Sequence, residues 1–229
     1  MRKISIFACL TLLASTLNLW SQDDIEAPNY ELIRSQITDS ASPNFYPKLM
    51  ERFTQCDTTL ELENYRALYY GFALREDYIP YQEESKALLN IRRRLFQTDC
   101  PPDSCAEIIE VAKTALANNP FDLTALTIIP LCYELLADDE HFRIWDIKRQ
   151  GIIDAITSSG DGESPETAYH VINIEHEYEL LNYRHLELSQ VKVENMQTDF
   201  MQVQENPDSI AGIYFNFSAC SDIYRKKYK

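Results

Sequence analysis

Apolar side chains recur at helical spacing through the first two thirds of the chain. Between residues 62 and 74, large apolar side chains fall at positions i, i+3, i+4 and i+7, which places them on one face of a helix. They are Tyr65, Leu68, Tyr69 and Phe72. We expect this face to pack in a core; a tyrosine platform for carbohydrate or peptide is the alternative. A second helix is predicted over 83–96.

The segment 105–137 carries the most helix-specific pattern of the chain. Turn-forming residues at 118–122 interrupt it, so two antiparallel helices are predicted, with Asp122 capping the second. Pro130 argues against an unbroken second helix, and we expect a kink there. The run around Ala115, Pro120 and Ala125 resembles the junction of tetratricopeptide-like helix pairs, although the complete repeat consensus is missing.

The pattern changes after a cluster of turn formers at 158–165. Beyond it, alternating and β-branched residues predict strands at 168–174, 190–196, 200–204 and 210–217, with a short helix at 175–183. The predicted fold is α+β: a tetratricopeptide-like helical bundle over 22–157, then a small antiparallel sheet with one covering helix over 158–229.

The first residues have the pattern of a secretory signal peptide. Arg2 and Lys3 precede an apolar run that ends in small and hydroxyl residues, with cleavage expected after Ser21. An uncleaved N-terminal anchor is the alternative. No cysteine follows the apolar run before Cys56, so a lipid anchor is not expected, and no later stretch reaches the length of a membrane span. The predicted location is secreted or periplasmic.

The chain is strongly acidic, with a formal net charge of −15. Removing residues 1–21 takes away Arg2 and Lys3 and no acids, which changes the charge to −17. Such a charge opposes binding to nucleic acid or to anionic membranes, because both require clustered cations. The one basic cluster, at 225–229, is predicted to be a frayed, solvated tail.

The remaining cysteines are odd in number, so at least one thiol is expected to stay free in an oxidising compartment. Cys100 and Cys105 flank a proline-containing loop and are the best disulfide candidates. Cys132 lies in an apolar helical run and is predicted to be a buried thiol.

Candidate chemistry is weak elsewhere. Histidines lie near acids at 138–141 and 170–177, but neither group has the spacing of a zinc site, and an acidic turn at 161–163 is more typical of a structural turn than of a calcium loop. We find no nucleophile elbow, phosphate loop or dinucleotide fingerprint, so no cofactor is predicted. Paired carboxylates for glycoside cleavage stay open, because their separation depends on the fold.

Two groups of residues resemble the secreted Bacteroidetes-type family known as domain of unknown function 4919. The first is Asp57-Thr58-Thr59-Leu60-Glu61-Leu62-Glu63-Asn64-Tyr65-Arg66-x-Leu68-Tyr69-Tyr70-Gly71-Phe72 with Asp77-Tyr78-x-Pro80-Tyr81. The second is Gly160-Asp161-Gly162-x-Ser164-Pro165-x-Thr167-Ala168-Tyr169-His170-Val171-Ile172, with Glu177-Tyr178-x-Leu180-Leu181 and Tyr214-Phe215-Asn216. The resemblance implies secretion and a helical part joined to a small β part, and it implies no activity. Glu61 departs from the Thr or Ser expected as the helix cap.

These observations favour a non-catalytic binding or scaffold protein whose partner is an unknown envelope protein or glycan. The alternative is an envelope hydrolase acting on glycan or peptide, with its site between the two parts. No catalytic residue is assigned. A binding site is sought first near Tyr78, Tyr81 and His170.

Overall fold

The structure is a computed structural model that describes residues 25–83, 85–97 and 102–228. The predicted signal peptide lies outside the described residues. The fold is α+β, as predicted. Its helices are α1 (Tyr30–Thr38), α2 (Tyr46–Thr54), α3 (Leu62–Phe72), α4 (Lys86–Gln97), α5 (Cys105–Asn118), α6 (Leu123–Leu135), α7 (Asp139–Thr157), α8 (Glu175–Tyr183) and α9 (Ser218–Tyr228). Its strands are β1 (Tyr169–His170), β2 (Leu188–Val193), β3 (Thr198–Val203) and β4 (Gly212–Asn216).

Helix α3 confirms the predicted helix with its tyrosine face buried. Tyr65, Leu68 and Tyr69 are at most 4% exposed. The cap differs from the expected Thr or Ser, because the Asn64 side chain turns back and its Oδ1 accepts a hydrogen bond from the Glu61 amide at 3.1 Å. A residue inside the first turn thus supplies an acceptor at the helix start.

Helices α5 and α6 confirm the predicted helix pair. The break falls where it was expected, and Asp122 Oδ1 accepts a hydrogen bond from the Ala125 amide at 2.9 Å. Pro130 lies inside α6, which is continuous from Leu123 to Leu135, so the expectation of an interrupted second helix is wrong. The kink expected at Pro130 stays a prediction. Ile128, Ile129 and Cys132 around it are buried, and this packing outweighs the local cost of the proline.

The sheet has the strand order β1-β4-β3-β2. The three long strands pair antiparallel as predicted, but β1 pairs parallel with β4, so the sheet is mixed. The strand predicted at 168–174 is only two residues long. It ends because the Ile172 amide leaves the sheet and donates to the Tyr69 hydroxyl at 3.2 Å. Helix α8 has the predicted bounds.

The C-terminal segment forms α9 rather than the predicted frayed tail. Its Ala219 and Cys220 are buried, which anchors one face of the helix in the core. Lys227 Nζ donates to the backbone oxygens of Glu76 and Tyr78 at 3.3 and 3.2 Å. The prediction of a frayed tail failed because it considered the basic residues at 225–229 and not the short apolar face at the start of the helix.

One cluster of buried residues extends from α1–α3 through α7 into the sheet and α9, and a second joins α4, α5 and α6. The segments assigned to 22–157 and 158–229 therefore contribute to a common core. In the part of the chain that the structure describes, we find no helix that is both long enough and apolar enough to cross a membrane.

Candidate functional site

Tyrosine hydroxyls join the helical part to the segment that follows the turn at 158–165. Tyr70 Oη donates to the backbone oxygens of Ala155 and His170 at 3.0 and 3.3 Å. Tyr78 Oη donates to the Ile172 oxygen and also lies 3.4 Å from Cys220 Sγ. With the bond from the Ile172 amide to Tyr69, these phenols bind backbone groups of His170 and Ile172, where the two-residue strand β1 ends.

The three residues predicted to form a binding site lie in different environments. Tyr78 is 3% exposed and its hydroxyl is occupied. His170 is half-buried; its amide donates to Ser159 Oγ at 2.8 Å, and burial lowers the pKa of its ring to about 4. Tyr81 has a positive φ of 59° and packs edge-on against Tyr224 at the surface. Tyr78 and His170 thus belong to the packed junction, and Tyr81 to the surface beside α9.

The predicted disulfide cannot be placed, since Cys100 lies outside the described residues. Cys105 is buried at the first residue of α5. Cys132 is buried in α6, as predicted for a packed thiol.

A buried acidic group lies on the inner side of α8. Glu177 is 1% exposed, and neither of its carboxyl oxygens has a hydrogen-bond partner among the described residues. Burial, with a smaller contribution from the charge of Asp199, raises the pKa of Glu177 to about 9. Burial also raises the pKa of Asp199 and brings that of Cys220 to about 12. Glu177 is therefore protonated at neutral pH, but a substrate has no open path to it.

His176, next to Glu177, pairs with the tyrosine face of α3. Its Nδ1 lies 2.6 Å from Tyr69 Oη, inside the core. Burial lowers the pKa of the ring to about 4, so the imidazole is neutral and its Nδ1 accepts a hydrogen bond from the phenol. This histidine is a structural partner, as the spacing of the 170–177 group indicated.

Two large grooves lie on the surface of the part of the chain that the structure describes. The first, which we name the arginine groove, has a volume of about 780 Å³ and lies between α4, α6, α7 and α8. Its apolar residues are Leu89, Leu123, Leu131, Ile153 and Tyr183, and its charged residues include Arg92, Arg93, Arg149 and Glu179. Arg92 pairs with Glu179, and Arg149 pairs with Asp146 at 2.5 Å. Arg93 has no hydrogen bond or ion pair among the described residues.

The second, which we name the aromatic groove, has a volume of about 790 Å³ and lies between α2, the end of α3, the end of α5, and α7. Its walls include Tyr46, Phe53, Phe72, Leu116 and Trp145, with Lys148 between them. Arg75, Asp77 and Lys113 also line it. A cavity of this size with mainly apolar walls is typical of a ligand site.

Lys148 is the unusual group of the aromatic groove. It is 6% exposed, and its Nζ lies 4.2 Å from the centre of the Phe53 ring and 4.7 Å from that of Trp145. Its one polar partner within the described ranges is Cys56 Sγ, at 3.9 Å. Burial lowers the pKa of the ammonium group, and the nearby thiol opposes this shift.

Sequence reasoning missed both grooves. Their walls come from helices far apart in the chain, and the separate helices do not show which faces remain uncovered. One local signal was present: Trp145 and Lys148 are spaced i, i+3, which on a helix places an aromatic ring beside a cation, but no individual helix was predicted at these positions.

Comparison with known proteins gives one match. Neither a curated protein nor a solved structure was found to match the chain. A model of the domain of unknown function DUF4919 matches residues 31–226, which include both grooves and the tyrosine junction. The chain therefore belongs to the DUF4919 family, as its sequence motifs indicated.

Proposed function

We propose that this protein works outside the cytosol as a non-catalytic binding protein, and that the arginine groove holds an acidic, apolar-rich peptide segment of an envelope partner. The observation that carries the proposal is an apolar groove rimmed by guanidinium groups on a chain of charge −15. Cations gathered in one groove of an acidic protein complement an anionic ligand.

The shape of the groove favours a peptide. Leu123, Thr127 and Leu131 follow one another at four-residue steps along α6 and form one wall of the groove, with two leucines on either side of a threonine. A peptide that places its apolar side chains against this wall at helical spacing uses the common helix-in-groove mode of recognition. A glycan, whose surface is mainly hydroxyl, gains less from leucine walls.

The rim supplies charge recognition. Arg93 is exposed and has no acidic partner among the described residues, so it is available to a ligand carboxylate. The planar guanidinium group donates two parallel hydrogen bonds to a carboxylate. Arg92 and Arg149 are held in place by Glu179 and Asp146, which leaves Arg93 as the principal contact for an acidic side chain.

Selection from a random peptide display library tests the proposal. We expect the wild-type protein to enrich peptides that combine leucine-like residues with Asp or Glu. Arg93→Glu should weaken their binding by about tenfold or more, because it replaces an attractive contact by a repulsive one. Arg143→Glu, at an exposed position on α7 outside the groove, is the matched control and should leave binding unchanged. Enrichment of basic peptides, no enrichment, or equal binding by the Arg93 variant would contradict the proposal.

A further inference from the structure

The buried lysine of the aromatic groove lacks a counter-charge. Among the described residues, no carboxylate oxygen lies within 4 Å of Lys148 Nζ. Asp57 lines a small neighbouring cavity with Lys148, but its carboxylate is bound by Arg52 at 2.7 Å and by the Thr59 hydroxyl at 2.7 Å. A buried cation is costly unless it is paired, and the ring faces of Phe53 and Trp145 supply only part of that compensation.

The other cations of the groove already have partners. Arg75 forms a two-point ion pair with Asp77, with both distances at 2.8 Å, and Lys113 pairs with Glu110 at 3.3 Å. The groove therefore presents one uncompensated positive charge. A single ammonium group fits a monoanion such as a carboxylate better than a phosphate dianion, which needs several donors.

The walls define the rest of the ligand. Phe53, Phe72 and Trp145 offer ring faces and edges, and Leu116 adds an aliphatic surface. Rings and alkyl chains pack well against such walls, whereas sugars and peptides would leave polar groups without partners. The volume of about 790 Å³ is within the range typical of sites for small organic molecules.

We infer that the aromatic groove is a second binding site, separate from the arginine groove, and that it takes a small organic carboxylate with an aromatic or alkyl body. The carboxylate lies against Lys148 Nζ, and the apolar body lies between Trp145, Phe72 and Leu116. The site lies on α2, α3, α5 and α7, so it does not depend on the proposed peptide site.

The single tryptophan of the groove makes a direct assay possible. The chain has two tryptophans, Trp20 and Trp145, so a full chain carrying Trp20→Phe reports fluorescence from the groove alone. The probes are 4-phenylbutyrate, octanoate and decanoate, with 4-phenylbutyramide as the uncharged match of the first. We expect at least one carboxylate to give a fluorescence change that saturates below about 1 mM. The amide should bind more weakly than 4-phenylbutyrate, by about tenfold or more.

Variants distinguish the contribution of the ligand charge to binding from that of the groove shape. Lys148→Met should weaken carboxylate binding by about tenfold and leave the affinity for the amide unchanged. The variant should fold, because an apolar side chain of similar length replaces a buried charge. Lys48→Met, at an exposed position on α2 that does not line the groove, is the matched control and should bind as the parent does. Leu116→Trp should fill the groove and abolish binding of both probes.

Three outcomes would overturn the inference: no saturable change with any of the carboxylates, equal affinities for acid and amide, or unchanged carboxylate binding by a folded Lys148 variant. Phenyl phosphate binding more tightly than the carboxylates would also overturn it, because the choice of a monoanion would then be wrong. Arg93→Glu should have no effect in this assay. A failure of peptide selection and a failure of carboxylate binding are thus distinguishable.

Discussion

A substitution at Gly151 tests the packing between α3 and α7. The Tyr65 ring lies against the backbone of α7 where a side chain is absent. A Cβ atom added at Gly151 would lie 2.2, 2.3 and 2.4 Å from three carbons of that ring. Ordinary contacts begin near 3.4 Å, so the ring or the helix must move by about 1.2 Å, the difference between 3.4 and 2.2 Å.

The expected effect combines two opposing contributions. Overpacking a well-filled core costs about 1–3 kcal/mol, and a clash with three atoms of a rigid ring belongs near the upper end. Replacing glycine by alanine inside a helix stabilises it by about 1 kcal/mol. We therefore expect Gly151→Ala to lower the free energy of unfolding by about 2 kcal/mol, which is a large share of the stability of a typical domain.

Gly71 supplies the matched control. It is also a buried helical glycine, but an added Cβ would meet the ends of the Ile37 side chain at 3.2 and 3.3 Å and a Tyr46 ring carbon at 3.3 Å. Flexible side-chain ends can yield by a few tenths of an ångström, so Gly71→Ala should stay within about 0.5 kcal/mol of the wild type. Urea unfolding followed by circular dichroism measures both variants.

A double mutant identifies the cause of the effect. Tyr65→Leu removes the ring carbons that would clash, so Gly151→Ala should become neutral or stabilising in that background. If Gly151→Ala costs the same with and without the ring, the close approach of α3 to α7 is not what limits position 151. Equal destabilisation at Gly71 and Gly151 would refute the reasoning as well.

Two further predictions concern buried polar groups. Tyr69→Phe should lower the free energy of unfolding by about 1–3 kcal/mol, because it leaves the Ile172 amide and His176 Nδ1 without their hydroxyl partner. The Tyr65 hydroxyl makes no hydrogen bond among those described, so Tyr65→Phe should cost much less in the same unfolding assay. The pKa of Glu177 is about 9 in the folded state, against an ordinary value of 4.5. Between these two pH values the folded protein keeps a proton that the unfolded protein has lost. The free energy of unfolding should therefore fall as pH rises from about 4.5 to about 9, by up to about 1.4 kcal/mol per pH unit. Glu177→Gln should remove that slope, and parallel stability curves for wild type and variant would disprove the assignment.

Local periodicity predicted α3, α4, α5, α6 and α8, but it did not single out α1, α2 or α7 within the predicted helical bundle. Helix α8 and the α5–α6 pair follow from spacing and from a proline-containing turn, because their signals lie within a few residues of one another. The helix at 218–228 was missed, since its buried face has only a few small residues, at 219–221, ahead of the basic last turn. The parallel pairing of β1 with β4 depends on chain crossing, which an alternating pattern does not record.

The grooves could not be predicted from the sequence, for a related reason. The aromatic groove joins Phe53, Leu116 and Trp145, which are apolar at helical spacing and look like any core residues. Whether an apolar face is covered depends on the angles and distances between helices. The position of Lys148 was visible in the sequence, but its burial without an acid was not.

Helix α3 explains why the two segments of the chain share a core. Consecutive residues of a helix point about 100° apart, so a run of seven consecutive buried residues covers every side of the helix. Every residue from Tyr65 to Gly71 is buried, including Arg66, whose guanidinium group donates to Ser158 Oγ and to the Glu26 oxygen. A helix buried on all sides needs neighbours on all sides, and the 168–173 segment supplies one of them through its bonds to the tyrosine hydroxyls. Burial on all sides makes α3 the central helix of this core, and the hydroxyls of Tyr69 and Tyr70 bind the backbone of the 168–173 segment that lies against it.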